Sequence, residues 1–177
     1  MAENLKVTHY NNGDVIPNVK ESSSWKLLKT GARCYYDNDS VNSGAYGAIY
    51  NWYSVWDSRK ICPQGWHVPT DNDWNILIST LGGETIAGGR MKETGTTHWF
   101  APNNGATNES GFSALGGGGR YNNGKFGLKG AYGGWITSPE NVSYRVYFRT
   151  IDGTTTDIKN HTNGSKAGGG SVRCVKD

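Results

Sequence analysis

The side chains best equipped for chemistry here are four histidines, three cysteines and scattered carboxylates, and their spacing matches no common catalytic or metal-binding arrangement. His9, His67, His98 and His161 have no acidic or cysteine partner at metal-ligand spacing, and Cys34, Cys62 and Cys174 are too scattered for a zinc site. His98 adjoins Trp99, but no serine or cysteine nucleophile pairs with it from sequence, so a hydrolase is not indicated. His67, between Trp66 and Val68, reads as a packed histidine that satisfies local backbone groups. The run Asp37 to Asn42 offers oxygen ligands, yet it lacks the glycine and downstream bidentate glutamate of an EF-hand and reads as a solvated turn. The glycine clusters at 116–119 and 168–170 lack the Lys-Ser/Thr ending and strand-to-helix frame of a phosphate cradle, so they read as backbone crossings and turns. No catalytic residue, metal or cofactor is assigned.

The elements that must position any site are one clear helix and a series of strands. Apolar residues at 74, 77, 78 and 81 follow helical spacing, Thr70 or Asp71 can cap the first turn, and Gly82-Gly83 supplies the stop, which predicts a helix over 71–81. A second short helix is expected near 84–93. Aromatic and branched residues predict strands at 46–53, 144–149 and 171–175, with Asp152-Gly153 as a hairpin turn. In the strand at 144–149, Tyr144, Val146 and Phe148 form the more apolar face and are assigned to the core, with Arg145, Tyr147 and Arg149 on the surface.

At 177 residues the chain suits one domain, with residues 1–33 as an N-terminal extension packed on it. Seven Trp and ten Tyr supply the apolar area for a core, and 26 Gly argue for short ordered pieces joined by turns. A net charge of +3, with basic residues dispersed, excludes an obvious nucleic-acid partner. No apolar run approaches a membrane span, and the polar start from Met1 to Lys20 shows no secretory signal.

The block Ile61 to Trp74 (ICPQGWHVPTDNDW) resembles the Fibrobacter succinogenes major paralogous domain. The likeness continues through Asn4–Asp14, Tyr46–Tyr53, Ala87–Thr94, Asn108–Leu115 and Ser171–Asp177, and so spans nearly the whole chain. That family is similar to the formylglycine-generating-enzyme branch of the C-type lectin fold, whose Pro-Thr-acidic-x-x-Trp helix start matches Pro69 to Trp74. The resemblance implies an α+β domain of C-type lectin-like fold, with a twisted, mostly antiparallel sheet, about two helices, and its terminal strands adjacent. Catalysis does not carry over, because the enzyme of that branch uses a cysteine pair in its late strands and only Cys174 lies there in this chain. Cys62 and Cys174 fall where such folds bring helix and last strand together; a disulfide and a buried thiol pair both fit, with Cys34 the odd cysteine. The Glu-Pro-Asn type loop of calcium-dependent sugar binding is absent, and Pro139-Glu140-Asn141 holds those types in another order.

Domains of this kind also occur among the variable proteins of diversity-generating retroelements, where adenine mutagenesis of Asn codons ending in a pyrimidine never yields Lys, Gln, Glu, Met or Trp. Across 131–170 those types occur only at Trp135, Glu140, Lys159 and Lys166, although an ordinary polar, glycine-rich loop region has the same look. The expected function is therefore a non-enzymatic ligand-binding domain, with 131–170 as its variable segment. The expected ligand-binding residues are Gly133, Trp135, Ile136, Asn141, Ser143, Arg145, Tyr147, Arg149, Asp152, Thr154, Asp157, Asn160, His161 and Asn163, with Trp135 as the large anchor. The expected partner is a protein or glycan on a target surface, met by a domain displayed on a virion or cell, alone or as a homo-oligomer, without nucleic acid and without membrane insertion. A structural surface module and a formylglycine-type oxidase are the alternative readings.

Overall fold

The computed structural model describes residues 1–137 and 146–177, apart from the side chain of Asn163. Its helices are α1 (Ser22–Trp25), α2 (Asn42–Tyr46), α3 (Trp52–Val55), α4 (Asp71–Thr80) and α5 (Glu84–Met91). Its strands are β1 (Arg33–Cys34), β2 (Ile49–Asn51), β3 (Trp66–His67), β4 (Gly117–Arg120), β5 (Phe126–Lys129), β6 (Tyr132–Thr137), β7 (Val146–Asp152), β8 (Ile158–Gly164), β9 (Gly169–Gly170) and β10 (Val175–Lys176).

Helix α4 begins as its sequence dictates. The Thr70 hydroxyl accepts from the Asp73 amide at 3.2 Å while the Asp73 carboxylate accepts from the Thr70 amide at 2.8 Å, a reciprocal cap for two otherwise unpaired donors. Helix α5 follows at 84–91, inside the expected window. The three further helices are single turns of four or five residues, so five short helices replace the expected two.

The sheet is mixed. Among the described residues eight strands form one sheet in the order β1-β2-β9-β4-β6-β7-β8, with β5 paired to β4. The β4–β6 pairing is parallel and the other ladders of that sheet are antiparallel. Both glycine clusters expected as turns lie in its middle, as β4 and β9. Their lack of side chains is what allows the crowding: Gly118 has a φ of +61°, and a β-carbon there would stand 2.4 Å from the Gly127 carbonyl oxygen. The expected strand at 46–53 is cut to three residues between α2 and α3. Of the expected strand at 144–149, residues 146–149 lie in β7, and Tyr144 and Arg145 lie outside the described residues. The expected strand at 171–175 is not formed, β9 ending at Gly170 and β10 beginning at Val175.

One face of the sheet packs against α4 and α5 around Trp74, Ile78, Met91, Trp99, Trp135, Ile151 and Ile158. A second core gathers Leu5, Tyr10, Ile16, Tyr50, Trp52, Val172 and the Cys62–Cys174 disulfide. Residues 1–33 are therefore built into the core, and the free Cys34 is buried beneath Trp25 and Tyr36.

Asn4 joins the two ends of the chain. Its Oδ1 accepts from Trp135 Nε1 at 2.9 Å and from Arg173 Nη2 at 2.9 Å, while its Nδ2 donates to the Tyr46 carbonyl at 3.0 Å. Arg173 also donates to the Phe112 carbonyl and stacks on the Phe112 ring. Burial pulls its pKa down to about 10, so the guanidinium remains charged at neutral pH. The backbone seals the arrangement, since the Leu5 amide donates to the Val172 carbonyl at 2.8 Å. Asn4→Ala leaves the Arg173 charge and the Trp135 indole without their shared acceptor, and the expected loss is about 3 kcal/mol. Equilibrium urea unfolding measures it, and a loss below about 1 kcal/mol would show that Asn4 is dispensable.

Candidate functional site

Alternation along β6 divides the predicted binding residues between two environments. Trp135 pairs with Arg149, and both face the helices; Ile136 pairs with Phe148 and Gly134 with Thr150, and these face the other side. Trp135, Ile136 and Arg149 are 1%, 0% and 2% exposed, so none is available to a ligand. Gly133 is buried as well, against the Leu115 carbonyl and the Trp135 ring. Trp135 as an anchor and Arg149 as a surface contact are thus corrected. The reason for Arg149 is that the helix layer supplies it with polar partners: Nη2 lies 3.0 Å from Asp71 Oδ1 and 3.1 Å from Asn75 Oδ1, at the start of α4. Phe148, assigned to the core, packs partly against the second core and also lines an open groove, while Tyr147 is half-buried beside Thr137.

The other predicted residues separate in the same way. Asp152 accepts from the amide and hydroxyl of Thr154 at 2.7 Å and so shapes the β7–β8 turn. That turn is pinned from inside by Lys92, a fully buried side chain whose Nζ donates to the carbonyls of Asn104, Asp152 and Thr155 at 2.7–3.1 Å. Burial lowers the Lys92 pKa, against the opposing pull of Asp152 and Asp157. Asp157 lies 3.4 Å from Lys159, and its hydrogen bond with Thr155 leads the effects that lower its pKa. Asn160 is exposed and pairs with Arg149, whereas His161 pairs with Phe148 and reaches the groove. Asn141, Ser143, Arg145 and the side chain of Asn163 lie outside the described residues.

The groove has a volume of about 540 Å³, within the range of small-molecule sites. Glycines of β4, β6 and β9 form its floor, and Tyr121, Leu128, Tyr132, Phe148, Thr150 and His161 stand around it. Tyr132 Oη and His161 Nε2 meet at 3.0 Å on the rim. Tyr121 and Leu128 are 46% and 49% exposed, and Leu128 has a φ of +67°, a strained conformation for a branched side chain. Thr150 is 4% exposed, and its hydroxyl has no partner among the described residues. Arg120 contributes backbone but not charge, because its guanidinium turns away to the carbonyls of Val19, Lys20 and Gly124 and stacks on Trp25. Tyr121, Leu128 and Thr150 escaped the sequence reading; an aromatic residue flanked by glycine-rich hairpin strands was the available signal.

A second cavity of about 340 Å³ lies near Tyr36, Tyr46, His98 and Phe100, with Lys129 Nζ held between the two tyrosine rings and donating to Asn42. His98 Nδ1 is 2.8 Å from Glu93 there. No group of three metal-ligating side chains converges among the described residues. The Cys34 thiol is pushed up to about 11 by burial, far from the thiolate a nucleophile requires.

His67 sits between two carboxylates, with Nδ1 2.7 Å from Asp177 and Nε2 3.1 Å from Asp73. The bond to Asp177 leads the effects that raise its pKa above the ordinary histidine value. A raised folded-state pKa stabilises fully below the unfolded value of about 6.5 and loses that contribution as pH rises through the folded value. The melting temperature of the native protein minus that of His67→Gln is therefore expected to shrink from pH 6 toward pH 8, and a difference that grows over this window would contradict the pairing.

None of the helices is long and apolar enough to cross a membrane. The family model of the Fibrobacter succinogenes major domain matches residues 1–176. Neither a curated protein nor a solved structure matches the chain. The continuous match, over a fold in which both ends of the chain meet at Asn4, makes this chain a member of the Fibrobacter succinogenes major domain family.

Proposed function

We propose that this domain is a non-enzymatic ligand-binding module that recognises a protein or glycan on a target surface through the open face of its sheet. The observation that carries the reading is the groove: a glycine floor walled by the exposed Tyr121 and Leu128 and by the half-buried rings of Tyr132 and Phe148. Two further observations favour binding over thiol chemistry, since Cys62 and Cys174 are joined and Cys34 is buried with a raised pKa. A disulfide suits display outside a reducing compartment, on a virion or cell surface.

The finer architecture belongs to the same proposal. A C-type lectin-like fold is supported by the reciprocal cap at Thr70 and Asp73 ahead of Trp74, and by the contact of the N-terminal segment with the last strands. Retroelement diversification is supported by the division within 146–170, where Ile151 and Ile158 are buried while Thr154, Asn160, His161 and Ser165 are exposed. Lys159 is exposed too and would be a fixed position, since such mutagenesis does not produce lysine at Asn codons.

Simultaneous randomisation of Thr154, Asn160, His161 and Ser165 is expected to shift the melting temperature by no more than about 2–4 °C in most variants, as exposed positions cost little. Ile151→Ala or Ile158→Ala is expected to lower it by about 5 °C or more. Collapse of most randomised variants would remove the stable scaffold that a variable binding face requires. The diversification component has its own check: a near-copy of codons 131–170 with extra adenines beside a reverse transcriptase in the source genome.

A further inference from the structure

We infer that the groove takes a neutral oligosaccharide, with a sugar ring laid over the glycine floor between Tyr121 and Tyr132. This deepens the binding role proposed above and rests on it. Three observations select the ligand class.

The first is charge. The lining side chains that face the groove carry aromatic rings, hydroxyls, amides and one imidazole, and the one guanidinium among the lining residues, that of Arg120, is directed away onto three carbonyls and the Trp25 ring. Among the described lining residues a phosphate, a sulfate or a carboxylate meets no fixed counter-charge. The second is the mixture of surfaces. A pyranose offers a flat patch of C–H groups on each face and a ring of hydroxyls at its edge. Tyr121, Tyr132 and Phe148 supply apolar planes, while Asn122, Ser165 and the Tyr132–His161 pair supply donors and acceptors at the perimeter. The third is the floor. β4, β6 and β9 already have strand neighbours on both sides, so the backbone groups of the floor are engaged in ladders and an extended peptide finds no free edge there; the strands with an open edge, β5 and β8, stand at the sides of the groove.

The geometry at Gly134 provides a clean block. A β-carbon at Gly134 meets nothing nearer than Thr150 Cγ2 at 3.8 Å, so a side chain fits there and extends into the groove.

The test is isothermal titration, with saturation-transfer NMR, of the whole chain against hexaoses of cellulose, xylan, mannan, laminarin and chitin, alongside heparin hexasaccharide as a charged probe. At least one neutral hexaose is expected to bind below 5 mM, and Gly134→Val to weaken it at least tenfold with the melting temperature held. Gly134→Ala serves should the valine disturb folding. His98→Gln in the second cavity is expected to bind as the native chain does. Equal binding by Gly134→Val, preference for the heparin probe, or silence across the neutral panel would each overturn the inference. A random dodecapeptide display library separates the two levels: peptides that bind the native chain but not Gly134→Val, with the sugars silent, would overturn the carbohydrate class and leave the groove as the binding face. If no sugar or peptide discriminates the two proteins, the binding role at this groove falls with the inference.

Discussion

A buried charge with too few acceptors is the constraint around which this domain is arranged. Arg173 lies at 4% exposure in the segment before the last strand, and its guanidinium must be met by oxygen atoms or the fold loses several kcal/mol. Asn4, from the other end of the chain, supplies one oxygen shared with the Trp135 indole, and Phe112 supplies a carbonyl. One amide thereby fixes the first residues, the central strand β6 and the closing segment in a single geometry. The Cys62–Cys174 disulfide closes a separation of 112 residues next to it, which removes unfolded-state entropy worth about 4–5 kcal/mol in a chain-entropy account. The termini are thus the most constrained part of the fold, and the late hairpin β7–β8 inherits a rigid base.

Helix α4 was legible from its sequence because its cap, periodicity and stop agree with its packing: Thr70, Trp74, Ile78 and Leu81 each do locally what the tertiary structure requires. The strand expected at 144–149 was legible from 146 onward, and so was its core face, since Val146 is buried and Phe148 packs against the same core. Assigning the other set to the surface assumes that one face is dry and the other wet, and here both faces are occupied. Arg149 is buried because Asp71 and Asn75 are delivered to it by α4, a coincidence of elements far apart in sequence. Phe148 is half-buried because its ring packs against the second core near Ile136 and fills the β-carbon positions of Gly164 and Gly170, while the rest of it lines the groove.

The glycine clusters show the same limit. Glycine normally weakens a strand, so Gly116–Gly119 and Gly168–Gly170 pointed to turns. In the structure they are strands because close approach outweighs propensity: a β-carbon at Gly169 would stand 2.5 Å from Ile49 Cγ2, and one at Gly119 would stand 2.9 Å from the Gly169 carbonyl. Only the neighbours, brought in from elsewhere in the chain, reveal what the missing side chains make room for.

That asymmetry between the two faces bears on function. On the helix side large apolar residues interlock and Lys92 Nζ and Arg149 Nη2 meet oxygen partners, although Arg149 Nε, the Trp74 indole and the Thr137 hydroxyl are buried there without a partner among the described residues. On the groove side several rules are broken together, with glycine in central strands, Leu128 in the left-handed region, exposed aromatic rings and the Thr150 hydroxyl unmet. Each departure costs on the order of 1 kcal/mol or more in isolation. Most glycines of the floor are dictated by packing, since a β-carbon at Gly118, Gly119, Gly169 or Gly170 would meet a neighbour within 3 Å. Gly134 is different: its β-carbon position is open, so a side chain that would fill the groove fits there and is nonetheless missing, which is the choice expected when the open face is kept for a ligand.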